Sequence, residues 1–250
     1  MKMKCLLSLS YDGTDYSGWI IQPNQRTIQG ELEKALKAIT KTTNFKVLGA
    51  SKTDAGVHAL DQKVLVTLEF APNLDQFKGA LNKALPKAIR ITNITKPEAE
   101  FDIRYPIQKT YHYIINDQDD DIFSQRFELR WSKGLIDIKA LQEIMNLFVG
   151  THDFKLFSGL TSQEAQIIKT VRQIDEITVF RNSNNRVVIE FQAKGFIRYQ
   201  IRMIVGAALA VYQNKHFSKV DLREKLQGIG EKSPIVAPAC GLCLQKIKYS

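Results

Sequence analysis

The order in which apolar periodicities follow one another over residues 3–95 limits this chain more than any other feature. Residues 3–11 alternate loosely, as a strand does. Ile28, Leu32, Ala35, Leu36 and Ile39 then recur at helical spacing, with Thr27 placed to cap the helix. Phe45 to Ala50 reads as a short strand. Lys63 to Phe70 alternates plainly, with Val64, Val66, Leu68 and Phe70 on one face. Leu74, Phe77, Leu81 and Leu85 predict a second helix that Pro86 ends, and Ile89 to Ile94 predicts a further strand. The order β-α-β-β-α-β is the split βαβ arrangement of ferredoxin-like domains. It builds an antiparallel sheet with both helices on one face and leaves the other face open for binding.

Pro97 and Arg104-Tyr105-Pro106 mark a junction. The expected domains are therefore residues 1–105 and 106–250. In the second, Lys109 to Ile115 is strand-like, the acidic run Asp117 to Asp121 reads as a solvated turn, and Phe127 to Trp131 reads as a returning strand. A helix carries Ile138, Leu141, Ile144, Met145 and Phe148 and stops at Gly150. Val171 to Phe180 and Arg186 to Ala193 form a hairpin around a polar loop. A long helix spans Ile197 to Tyr212, Ser218 with Asp221 resembles a capping box, and Gly241 to Lys248 closes as a strand. With insertions trimmed, this half repeats the order of the first. The expected fold class is α+β: two split βαβ halves in a largely antiparallel sheet, helices on one face and a binding cleft on the other.

Composition enters where it narrows function. Of 250 residues, 44% are hydrophobic and 24% charged, which fits a globular chain and not a disordered one. No run approaches the roughly 18 apolar residues of a membrane span. The basic-then-apolar start, Met1 to Ser10, is too short for a signal peptide, so a cytoplasmic location is expected. The net charge of +9 divides between the halves as +4 and +5. A basic surface must then be assembled by folding, and its natural partner is a polyanion such as a nucleic acid. Cys240 and Cys243 form Cys-x-x-Cys, but Pro238 precedes them and a strand follows, and Cys5 is the only other thiol. Buried small side chains explain them better than redox or zinc chemistry. The four histidines form no metal cluster by spacing, and His152 beside Asp153 has no Ser or Cys nucleophile to complete a triad.

The polar loop Ser51-Lys52-Thr53-Asp54-Ala55-Gly56-Val57-His58 lies between two apolar runs. Asp two residues before Gly is a common turn, with the carboxylate on local backbone N–H groups. The competing reading makes Asp54 a reactive carboxylate, held ionised by the neighbouring cation Lys52, with Gly56 letting the backbone pass close to a ligand. Tyr111 and Tyr113 share one face of a strand; Tyr113 suits core packing, whereas Tyr111 could stack on a nucleobase. Arg198 and Arg202, four apart on the predicted helix, border apolar surface and want an anionic partner, carboxylate or phosphate.

These stretches together resemble the TruA-type tRNA pseudouridine synthases. The likeness runs through Tyr11-Asp12-Gly13-Thr14, Gly18-Trp19, Thr27-Ile28-Gln29, Thr53-Asp54-Ala55-Gly56-Val57-His58-Ala59, Leu85-Pro86 and Phe101-Asp102-Ile103-Arg104. It continues with Lys109-Thr110-Tyr111-His112-Tyr113, Gly150-Thr151-His152-Asp153-Phe154, Gly195-Phe196-Ile197, Ile201-Arg202, Ala237-Pro238 and Gly241-Leu242. The resemblance implies that Asp54 is the essential aspartate, Tyr111 the tyrosine that stacks on the target base, and Arg202 the arginine paired with the aspartate. It implies Leu242 as an apolar contact to the uracil, with Lys52, Thr53, His58 and Arg198 also at the substrate. It further implies a homodimer that binds tRNA, flips a uridine of the anticodon stem-loop out of its stack, and needs no metal or organic cofactor. Where the family usually has Gly-Arg ahead of Thr-Asp-Ala-Gly, this chain has Ser51-Lys52, which keeps the charge but loses the planar fork. Another RNA, such as ribosomal RNA, and a catalytically silent RNA-binding role stay open as alternatives.

Overall fold

A computed structural model describes residues 2–215 and 218–249. The chain divides into two units, Met1–Ile107 with Cys243–Ser250, and Gln108–Leu242.

The first unit follows the periodicities: β1 (Met3–Tyr11), α1 (Ile28–Thr40), β2 (Phe45–Gly49), β3 (His58–Leu68), α2 (Leu74–Ala84) and β4 (Ile89–Thr95). Strand β1 runs antiparallel between β3 and β4, so Leu7 lies opposite both Val64 and Ile94. Strand β2 flanks the far end of β3, from Phe45↔Leu68 to Gly49↔Val64. Thr27 caps α1 by accepting from Gly30 N, and Asn73 caps α2 by accepting from Gln76 N. Leu7, Leu9, Leu32, Leu36, Val64, Val66, Leu81 and Ile89 are sealed from solvent and form the core. Each such side chain contributes roughly 1.5–3 kcal/mol.

Strand β3 starts at His58, five residues before the alternation that announces it, because polar Gln62 and exposed Leu60 break the pattern. The C-terminal strand, Leu242–Lys248, is expected from sequence with the second half, yet from Cys243 onward it groups with the first unit. It pairs parallel with the start of β3 through Cys243↔His58 and Leu244↔Ala59. Ile107 N donates to Lys248 O at 2.9 Å, and Tyr249 Oη donates to Ile103 O at 2.8 Å.

The second unit contains β5 (Gln108–Asn116), β6 (Leu129–Arg130), α3 (Ile138–Met145), β7 (Gly150–Asp153), α4 (Glu164–Ile167), β8 (Val171–Ile174), β9 (Glu176–Arg181), β10 (Val187–Ala193), α5 (Gln200–Tyr212) and α6 (Lys219–Leu226). Strand β10 runs antiparallel between β5 and β9. The fold class is thus α+β with mostly antiparallel pairing. The Ser218–Asp221 capping box is present with both of its hydrogen bonds.

Four local expectations change. The strand expected over Phe127–Trp131 reduces to Leu129–Arg130 and pairs parallel with β5 instead of returning along it. The strand expected over residues 171–180 breaks at Asp175, and its first part joins β7 in a separate small sheet. Helix α5 begins at Gln200, so Arg198 precedes it, and every residue from Met203 to Val211 is buried. Its sequence reads as a stripe only because Gly206, Ala207 and Ala210 are small, not because they face water. The acidic run is not simply a solvated turn: the Asp117 side chain is wholly buried. Arg181 Nη2 donates to Asp117 Oδ2 at 2.6 Å, Arg181 Nη1 to Oδ1 at 2.9 Å, and Ile136 N to Oδ2 at 2.7 Å. Among the described residues no helix is long and apolar enough to cross a membrane.

Candidate active site

In the first unit, the loop between β2 and β3 is held by backbone contacts more than by its own turn. Trp19 N donates to Thr53 O at 3.0 Å and Gly56 N to Tyr16 O at 3.2 Å, so the Tyr11–Trp19 segment grips both sides of Asp54. Gly18 makes this approach possible. Its φ is +90°, and a Cβ there would lie 2.8 Å from Thr53 O and 3.1 Å from the Asp54 carbonyl carbon. Gly13 is as tightly placed, since a Cβ would fall 2.0 Å from Val57 O. Within the loop, Val57 N donates to Asp54 O at 3.2 Å. The Asp54 side chain is half-buried and Lys52 is exposed.

Below the loop lies a buried polar layer. Thr53 Oγ1 and Tyr11 Oη are 2.8 Å apart. Gln62, fully buried, donates from Nε2 to Ser51 O at 2.6 Å and accepts at Oε1 from Ser51 N at 3.1 Å. Gly13 N donates to His58 Nδ1 at 3.1 Å, which makes that nitrogen an acceptor; Asp12 Oδ1 lies 3.3 Å from it. Thr53 and His58, expected at the substrate, are 8% and 4% exposed, and these contacts tie Thr53 Oγ1 and His58 Nδ1 to the Tyr11–Gly13 segment.

In the second unit, Tyr111 sits on β5 opposite Phe191 of β10, its ring edge-on to Phe196 at 5.4 Å. Tyr113, on the same strand face, is sealed and donates from Oη to Pro238 O at 2.9 Å; burial pushes its phenol well above the ordinary range. Lys109 precedes them on that face, and burial pulls its ammonium down to about 8. Arg202, in the first turn of α5, donates from Nε to Ala237 O at 2.8 Å, while Ala237 N donates to Arg202 O at 3.0 Å. Arg202 and Tyr113 thereby fix the segment that leads into buried Leu242. Arg198 is engaged by Glu164 Oε2 at 2.6 Å and by Gly159 O at 3.0 Å. The hydrogen bonds from the Arg198 guanidinium, helped by the Thr161 N–H, hold the Glu164 carboxyl at about 2.

A family model described as tRNA pseudouridine synthase matches residues 8–106 and 144–250, taking in the Asp54 loop, Arg202 and Leu242. This chain belongs to the tRNA pseudouridine synthase family. Whole-length relatives agree. The tRNA pseudouridine synthase A of Mesoplasma florum is 54% identical over 248 residues, 98% of either chain. That of Mycoplasma mycoides subsp. mycoides SC is 52% identical over 250 residues, covering 100% of this chain and 99% of its own. That of Spiroplasma kunkelii is 47% identical over 247 residues, covering 98% and 93%.

In the layer beneath the loop, the residue that local pattern does not mark as functional is Gln62. It still carries a readable signal: it occupies the even-numbered register of Val64, Val66 and Leu68, where a polar side chain must find internal partners. The contacts of Tyr11 and Gly13 span more than forty positions and leave no local signal. Cys5, Cys240 and Cys243 are free thiols, and burial raises each, Cys243 to about 12, so none is poised as a thiolate. Among the described residues no group of three or more His, Cys, Asp or Glu side chains could hold a metal ion.

Proposed function

We propose that this synthase converts uridine to pseudouridine in the anticodon stem-loop of tRNA, with Asp54 as its catalytic carboxylate. The N1–C1′ bond breaks, C5 bonds to C1′, the C5 proton leaves and N1 gains one. Atoms and electrons balance within the nucleotide, so the chemistry is an isomerisation. Asp54 acts as an anion at the sugar. Arg202 supplies positive charge for that anion, Tyr111 stacks on the displaced base, and Leu242 gives the detached uracil an apolar wall. Lys52, exposed beside Asp54, meets the RNA backbone as a point charge. Thr53 and His58 support the loop instead of touching substrate, and Arg198 serves as an internal clamp. A homodimer in the cytoplasm completes the reading.

The observation that carries this is the grip on Asp54. Gly18, Trp19 and Tyr16 hold the backbone around it, in a chain whose family is established over most of its length. A turn aspartate in a solvent loop needs no such scaffold.

The test is product mapping. The protein is incubated with tRNA and, separately, ribosomal RNA transcripts, and pseudouridine is located by carbodiimide labelling. The expected result is modification in the anticodon stem-loop, none with Asp54→Ala, and RNA binding within about threefold for that variant, because phosphate contacts dominate affinity. Pseudouridine formed by Asp54→Ala would sink the assignment. Product confined to ribosomal RNA would redirect the substrate.

A further inference from the structure

We propose that Tyr199 is a positioning residue for Arg202, its ring setting the orientation in which the guanidinium acts. This rests on Arg202 serving the reaction as described above.

Tyr199 immediately precedes α5 with φ 64° and ψ −2°, in the left-handed region that a bulky aromatic residue rarely adopts. Glycine or asparagine would sit there without strain. The Tyr199 carbonyl accepts from Met203 N at 2.9 Å, as any residue's could at that position, while its side chain makes no capping hydrogen bond. The ring is not there for core packing either, because the residue is 37% exposed. What the backbone geometry does is aim the ring.

Two neighbours of the ring bear on its orientation. One is Gly159, where an added Cβ would lie 2.4 Å from it. Gly159 is itself pinned: its N donates to Arg198 O at 2.7 Å, Arg198 Nε donates to its O at 3.0 Å, and Glu164 holds the Arg198 guanidinium. The other neighbour is Arg202, whose Cζ lies 5.2 Å from the ring centroid, within cation–π range. Ala237 O takes Arg202 Nε in the guanidinium plane, and the ring fixes the same group through its π surface. The chain from Glu164 through Arg198 and Gly159 to Tyr199 therefore ends on Arg202. Strain in a sparsely populated backbone region that orients one such group is the pattern expected at a working site.

The experiment measures kcat and KM for tRNA pseudouridylation, with melting temperature alongside, for Tyr199→Phe, Tyr199→Asn, Tyr199→Leu and Arg202→Lys. Tyr199→Phe keeps the ring and should retain activity. Tyr199→Asn suits the left-handed backbone but removes the ring. It should melt no lower than the native chain, yet lose about tenfold in kcat with KM within about twofold. Tyr199→Leu keeps apolar bulk and should show the same kcat loss. Native kcat in both ring-less variants, with Arg202→Lys impaired, would overturn the inference alone. Full activity of Arg202→Lys would overturn the reading beneath it.

Discussion

Gln62 is a single buried amide that braces the loop carrying Asp54. It lies in a register of β3 otherwise given to Val64, Val66 and Leu68, and its amide returns both hydrogen bonds to the Ser51 backbone, three residues before Asp54. Removing it leaves a peptide group to be satisfied elsewhere. Gln62→Leu is expected to lower stability by about 2 kcal/mol in denaturant unfolding. It should also lower kcat about tenfold, because a near-attack geometry tolerates little displacement. Stability lost with kcat intact would mean that the clamp serves the fold and not the reaction.

At the scale of elements, the turn after β5 is tied to its surroundings by charge. Burial alone would raise Asp117, but hydrogen bonds from Arg181, the Ile136 N–H and Gln118 outweigh it and hold the carboxyl at about 2. Arg181 ends β9, so the ion pair joins β9 to the turn beyond β5. Further out, Arg186 reaches Asp119 and Glu128, and Arg130 reaches Asp120. Because the folded value of Asp117 lies below the unfolded one near 4, its stabilisation is complete above about pH 4. It is lost as the pH falls toward 2. Asp117→Asn should cost about 3 kcal/mol at neutral pH, where it strands Arg181. It should also flatten the acid limb of a stability–pH curve measured from pH 5 to 2. An unchanged acid limb would show that Asp117 is not the group titrating there.

At the scale of the whole molecule, the chain's last residues complete the first unit. Leu244 and Ile247 of the C-terminal strand are buried, and the strand pairs with β3 just where the Asp54 loop ends. A chain ended at Leu242 loses both apolar side chains, worth roughly 4 kcal/mol together. It should melt about 10 °C lower. Hydrogen exchange should quicken first at His58 and Ala59, and tRNA pseudouridylation should fall because the end of the loop loses its neighbour. Native protection at His58 and Ala59 in the shortened chain would remove the C-terminal strand from any part in holding the site.

The split βαβ order of the first unit is legible in the amino acids alone, since helical and strand periods are local and Thr27, Pro86 and the alternation of β3 are readable in a few residues. The order of short motifs along the chain also offered Asp54, Tyr111 and Arg202 as candidates. Tertiary structure decided what local pattern does not encode. It tied Thr53 Oγ1 and His58 Nδ1 to the Tyr11–Gly13 segment, since buried polar atoms need partners and Tyr11 and Gly13 supply them from more than forty residues away. It buried Asp117, because Arg181 arrives from another strand to neutralise it. It placed Arg198 before α5, since Tyr199 takes a left-handed backbone that no propensity foretells. Periodicity reports which face of an element is apolar; only packing decides which distant group meets it.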